Sequence, residues 1–242
     1  MKILIENKAI FARNKNDLGC THLMEHEIDL VEGAEAHREG LRRLSPEKLR
    51  QANDQLDALV EMGVVVPAKG PWASAIVMAK KKGDQLRMCI DFRKLNEVTI
   101  KDAFPLPRID DAITKLGSAK YFTTGDLGSA FWQVPLRKKD QHLTGFAHPK
   151  GLYMWTRMPF GLCNATGTFQ RLMSRIFGHL SEKYGNVVLC YVDDLMIATN
   201  TIEEHLVRLK EVFEAIRGSG LKLNPDKCSL FQRQSEISRE DN

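Results

Sequence analysis

Apolar positions along the chain fall into short runs separated by turn-forming residues, with a few longer stretches at helical spacing. In SPEKLRQANDQLDALVEMG, residues Leu49, Ala52, Leu56, Leu59 and Val60 share one helical face. Ser45 suits the N-cap, Pro46 the first helical position and Gly63 the stop. A second helix is predicted over IEEHLVRLKEVFEAIRG, with Leu206, Leu209, Phe213 and Ile216 on one side and a Thr201–Glu204 capping box at its start. A third begins near Asn164 and runs through FQRLMSRIFGHL, and a shorter one in PLPRIDDAITKLG ends at Gly117. Strands fill the intervals. SAIVMAKKK and LRMCIDF flank the turn GDQ as a hairpin whose tip carries Lys80, Lys81 and Lys82. YFTTGDL is a single strand, HLTGFAHPKGLYMWTRM is a hairpin turning at Pro149 to Gly151, VVLCYVDDLMIAT is another hairpin, and LKL is a short closing strand. The first 40 or so residues read as an irregular, extended strap along the surface, and RQSEISREDN carries no pattern. Hairpins interleaved with packing helices predict an α+β fold with an antiparallel sheet rather than a doubly wound parallel one.

Composition adds bounds. A chain of 242 residues with 43% hydrophobic content is long enough for one large core or two small ones. No run approaches the roughly 20 apolar residues that span a bilayer, and Glu6 interrupts the N-terminal apolar stretch, so an intracellular protein with no membrane partner is expected. The expected location is the cytoplasm, with the nucleus as an alternative. Five cysteines (Cys20, Cys89, Cys163, Cys190, Cys228) are odd in number and lack a CxxC pair, which points to free thiols and no zinc site. The net charge of +4 is uneven: residues 1–62 carry −3, residues 63–160 carry +8 and residues 161–242 carry −1. A basic middle beside carboxylates suggests a polyanionic partner.

The sharpest local feature is the pair Asp193 and Asp194 between apolar runs. Like charges about 4 Å apart repel by roughly 4 kcal/mol at an effective dielectric near 20. Two readings follow. One is an exposed two-residue turn, where solvation removes the problem. The other is a cation site, completed by Asp126, the one acid of YFTTGDL. Three carboxylates on neighbouring strands would hold two hard divalent ions, which prefer oxygen ligands and serve in-line displacement at phosphorus.

FRKLN followed by FPLPRID, DLGSAFWQV, MPFGL followed by FQRLM, and YVDD between apolar strands, in that order, resemble the reverse transcriptase domain of Gypsy-type LTR retrotransposon Pol polyproteins. The resemblance runs from about residue 20 to residue 231. It implies right-hand polymerase fingers and palm, with an antiparallel palm sheet packed on helices. The implied parts are a strap (1–40), fingers (41–118, holding the 41–63 helix and the basic hairpin), palm (119–231, with a fingers segment near 137–160) and a tail (232–242). The implied activity is nucleotidyl transfer from a deoxynucleoside triphosphate to a primer 3′-hydroxyl on an RNA or DNA template. Two Mg²⁺ ions serve it, with Mn²⁺ as a substitute.

Residue by residue, the resemblance puts the metal ligands at Asp126, Asp193 and Asp194. It puts Tyr191 near the primer end, Phe131 under the incoming sugar to exclude a 2′-hydroxyl, and the backbone amides of Ser129 and Ala130 on the triphosphate. Arg87 with Lys80 or Lys81 would clamp that triphosphate. Gln170 and Phe160 would support the templating base and the nucleotide, and Pro159 and Gly161 would fix the bend there. Lys222 or Lys227 would protonate the departing pyrophosphate. Blander readings stand beside these: a core ring for Phe131 and Tyr191, and solvated surface for the lysines.

Two departures from the family pattern stand out, Gly125 for an apolar strand residue and Thr166-Gly167 where Pro-Ala is usual. After CSLFQ the family continues into a thumb and a ribonuclease H domain, whereas here about ten residues remain. The resemblance implies the remaining Pol domains as partners and a retroelement particle as a further location. The rival expectations are an inactive remnant that binds nucleic acid weakly, and a two-metal nuclease.

Overall fold

The computed structural model describes residues 2–80, 86–105, 119–184, 188–191 and 194–233, for residues 2 and 188–191 the backbone only. In chain order the helices are α1 (Lys2–Glu6), α2 (Pro46–Glu61), α3 (Arg93–Glu97), α4 (Ala165–Tyr184) and α5 (Ile202–Ser219). The strands are β1 (Val65–Pro67), β2 (Ser74–Lys80), β3 (Leu86–Ile90), β4 (Tyr121–Asp126), β5 (Phe146–His148), β6 (Gly151–Trp155), β7 (Val188–Tyr191), β8 (Asp194–Thr199) and β9 (Ser229–Arg233). They belong to two compact units. The first gathers residues 1–24, 103–133 and 166–242, and the second gathers 25–102 and 134–165.

The first unit is built on the antiparallel sheet β7-β8-β4-β9. Its core takes Phe169, Leu172, Met173, Ile176, Phe177 and Leu180 from α4 and Leu209, Val212, Phe213 and Ile216 from α5. Each such burial contributes about 1.5–3 kcal/mol. Gly167 in the first turn of α4 costs about 1 kcal/mol relative to alanine, so packing decides the helix. Thr201 caps α5 by accepting from the Glu204 amide. The buried stripe of α5 begins at His205 and includes Val212, while Leu206, expected inside, is 39% exposed.

The second unit carries the sheet β1-β6-β5-β2-β3, antiparallel except where β2 runs parallel to β5 through Ser74↔Phe146 and Ala75↔Ala147. Helix α2 is capped by Ser45, starts at Pro46 and buries Ala52, Leu56 and Leu59. Val60 faces solvent. The basic hairpin forms with Ala79↔Arg87 and Lys80↔Leu86 in register. Its turn, with Lys81 and Lys82, lies outside the described residues.

Three other local expectations change. LKL is not a strand, because the Lys222 amide donates to Gln133 Oε1 (2.7 Å) and its carbonyl accepts from Gln133 Nε2 (2.9 Å), leaving Leu223 a single bridge to Phe11. The last strand is instead β9. HLT ends a 3₁₀ helix, Lys138–Thr144, and β5 starts only after Gly145, where a Cβ would lie 2.2 Å from the Trp72 carbonyl oxygen. FRKLN supplies α3. The short helix expected before Gly117 and the tail after residue 233 fall outside the described residues. Among the described residues no helix is long and apolar enough to cross a membrane, and Cys20, Cys89, Cys163 and Cys228 are free.

Candidate nucleotidyl-transfer site

In the first unit, β4 and β8 pair so that Asp126 lies directly opposite Asp194, and Tyr191 of β7 pairs with Asp194 in turn. Directly opposed residues of an antiparallel ladder bring their Cβ atoms about 4.5–5.5 Å apart. Two of the three expected carboxylates therefore share one end of one sheet. Asp193, like the Tyr191 side chain, lies outside the description. Asp126 is largely covered, its side chain 16% exposed; Oδ2 accepts from Lys227 Nζ at 2.9 Å, and Oδ1 is buried with no hydrogen-bond partner among the described residues. A buried carboxylate oxygen without a donor is costly unless something supplies positive charge. That is the demand a hard cation meets, and the all-oxygen donors suit Mg²⁺.

The two candidate lysines have different neighbours. Lys227 sits on Asp126, and its side chain is 63% exposed, so the pair is worth about 0–1 kcal/mol and yields readily to a stronger cation. Lys222 pairs with Asp17, and its ammonium, with Arg13, holds the Asp17 carboxyl well below the usual carboxylate range. It lines a cavity of about 540 Å³ with Lys8, Ala9, Phe11, Arg13 and Asp17.

Sequence around DLGSAF dictates the next loop. Gly128 makes room for Asn224, whose Cβ would stand 3.1 Å from a Cβ at 128, while the Asn224 amide donates to the Asp126 carbonyl at 2.8 Å. Ser129 is exposed with φ of 51°, a left-handed conformation that a non-glycine residue holds at some strain. Ala130 is buried. Gln133, 1% exposed, clasps the loop by donating to the carbonyls of Gly128 and Lys222. The Phe131 ring is half-buried and packs at 5.6 Å on Phe169, itself fully buried, so its position is fixed from below. Gln170 follows in the same helix and is buried. Gly125 also finds its reason, since Leu223 Cδ2 would be 3.3 Å from a Cβ there.

In the second unit, the Arg87 guanidinium lies 4.5 Å over the Phe160 ring, a cation–π contact that orients both side chains. Lys80 is exposed at the last position of β2. Pro159 is buried, and Gly161 turns the chain at φ of 95°, its carbonyl accepting from Asn96.

Sequence reasoning passed over His205. It is fully buried beneath the same sheet, with Nε2 2.7 Å from Thr123 Oγ1 of β4 and Nδ1 2.8 Å from Thr199 Oγ1 of β8. Burial, with Arg208 second, pushes its pKa down to about 4. The available signal was a histidine four residues before Leu209 on the apolar side of a capped helix.

Residues 79–238 match the family model for reverse transcriptase (RNA-dependent DNA polymerase). The chain belongs to the reverse transcriptase family. Among its relatives are Drosophila melanogaster retrovirus-related Pol polyproteins from transposon 297, 36% identical over 77% of this chain, and from transposon 412, 32% identical over 93% of it. This reverse transcriptase sequence spans 18% of the length of each of those polyproteins, in keeping with the Gypsy-type resemblance of its motifs. Its fold matches foamy viral protease-reverse transcriptase solved with an RNA/DNA hybrid, at a TM-score of 0.84 and 23% identity over 95% of this chain and 30% of that one. The same viral protein solved with dsDNA matches at a TM-score of 0.83 and 24% identity, over 96% of this chain and 47% of that one.

Proposed function

We propose that this chain is the nucleotidyl-transfer part of an RNA-directed DNA polymerase, its first unit acting as palm and its second as fingers. The primer 3′-oxygen forms a bond to the α-phosphorus of a deoxynucleoside triphosphate, the bond from that phosphorus to the bridging oxygen breaks, pyrophosphate leaves with that oxygen and the hydroxyl proton passes to solvent water. Asp126, Asp193 and Asp194 would hold two Mg²⁺. When bound, such ions polarise the attacking hydroxyl and neutralise charge on the leaving group. The residues supply position and field rather than a covalent intermediate. Phe131, seated on Phe169, fills the volume a 2′-hydroxyl would need. Lys227 is the better placed of the two lysines to protonate pyrophosphate, because it stands on Asp126 whereas Lys222 is engaged by Asp17.

The observation that carries this reading is the direct pairing of Asp126 with Asp194, with Asp126 Oδ1 buried and lacking a donor among the described residues, in a chain of this family. Incubation with a primed RNA template, Mg²⁺ and deoxynucleotides tests it. Extension that disappears in Asp126→Asn supports the polymerase; degradation of the strand would indicate a nuclease, and neither would indicate a remnant.

A further inference from the structure

We infer that His205 is a positioning residue for the metal-binding carboxylates: its neutral imidazole ties β4, β8 and β9 together from the face of the sheet opposite Asp126 and Asp194. The inference deepens the function proposed above and rests on it.

Strand parity sets the geometry. Side chains alternate along β4, so Phe122, Thr124 and Asp126 share one face and Thr123 lies on the other. The register pairs Phe122 with Ala198, Thr124 with Met196 and Asp126 with Asp194, which puts the acids on the face of the small cluster of Phe122, Ala198 and Met196. Thr123 and Thr199 project from the opposite face, where His205 of α5 meets both.

The hydrogen bonds around the ring leave one consistent arrangement. Thr199 Oγ1 gives its own proton to the Thr201 carbonyl (3.2 Å), so it must accept from His205 Nδ1–H. Nε2 is then an acceptor. Thr123 Oγ1 accepts from the Phe231 amide (3.2 Å) and donates its proton to Nε2. One uninterrupted chain thus runs from the β9 backbone through Thr123, His205 and Thr199 to Thr201, the residue that caps α5. Arg208 is the charged group in play, and its guanidinium donates to the Ala198 carbonyl and lies over Tyr184.

The backbone of β9 is shaped to serve this chain. Its register against β4 slips between Phe122 and Thr124, and Phe231 there takes φ of 56°. A bulge of this kind releases one amide from the ladder. That amide is the one bonded to Thr123, and the Phe231 ring then packs on the imidazole at 4.8 Å. A strained residue, a strand irregularity and a doubly bonded buried histidine all converge three residues from Asp126. Ordinary core packing needs none of them, since a leucine would fill the volume.

Mn²⁺ binding followed by electron paramagnetic resonance tests the inference on the full chain, alongside primer-extension turnover and KM for the deoxynucleotide. His205→Gln keeps one donor and one acceptor, whereas His205→Leu keeps neither. The expected result is Mn²⁺ affinity weakened about tenfold or more in His205→Leu, with turnover falling in parallel, KM little changed, and recovery to within about threefold in His205→Gln. Thr123→Val, which breaks the chain at a smaller side chain, should repeat the loss and decides the matter if His205→Leu does not fold. Unchanged Mn²⁺ affinity and turnover in a folded His205→Leu or Thr123→Val, even with a lower melting temperature, overturns the inference alone. Wild-type binding that Asp126→Asn does not alter overturns the proposed function as well.

Discussion

Acidification should weaken the fold through His205, and the size of the effect follows from its surroundings. Its imidazole ordinarily titrates at 6.5, and in the fold it is pushed down to about 4, chiefly by burial. Between those values the unfolded chain carries a proton there and the folded chain does not. The contribution is thus fully present above pH 6.5 and is lost progressively as pH falls toward about 4, where it levels off. The full loss amounts to about 3 kcal/mol, at a slope of about 1.4 kcal/mol per pH unit. His26, buried and likewise pushed down to about 4, adds a second slope of the same sign in the same window. Asp17 and Asp91, held well below the usual carboxylate range by Lys222 and Arg93, lose their stabilisation only at lower pH. Urea unfolding followed by circular dichroism at steps from about pH 7.5 to 4.5 isolates the His205 part by comparison with His205→Gln. The variant should be the less stable near neutrality and converge on the wild type by about 2–3 kcal/mol at the acid end. Parallel stability curves for the two proteins would refute the reasoning.

Phe131→Val should admit ribonucleotides in a competition assay while leaving deoxynucleotide turnover within a few-fold, and unchanged discrimination would remove Phe131 from the sugar pocket. Phe169→Ala should destabilise the fold by about 3–5 kcal/mol and relax the same discrimination by unseating Phe131, both measurable on one preparation. Lys227→Ala should tighten Mn²⁺ binding severalfold, because the competing ammonium on Asp126 is gone, while slowing turnover about tenfold or more; Lys222→Ala should do neither. Gly125→Val, facing Leu223 and Leu195, should cost about 1–3 kcal/mol in a denaturation curve through overpacking.

Local chemistry explains why some elements were legible and others were not. Caps at Ser45 and Thr201, the GDQ turn and the apolar runs around YVDD act over a few residues, so α2, α5, β2–β3 and β7–β8 could be read from the sequence. LKL reads as a strand although it is none, because the partner of its backbone is the Gln133 side chain, 89 positions away. Gly125 departs from the family pattern for a reason the sequence does not carry: Leu223 occupies its face. His205 hid for the same reason: its partners Thr123 and Thr199 come from two strands, and only the fold brings them to one ring. Of the site, the acids were legible as residue types, and the pairing of Asp126 with Asp194 required the register.

Asp126, Asp193 and Asp194 are proposed to share bound divalent cations. Fe²⁺ substituted at the site, with ascorbate and peroxide, cleaves backbone within a few ångströms of the ion, and the cut positions can be read by mass spectrometry. Cuts are expected beside Asp126 and beside the Asp193–Asp194 pair together, suppressed by excess Mg²⁺ and absent in Asp126→Asn. Cuts at only one of the two places, or a pattern that Asp126→Asn leaves intact, would contradict it.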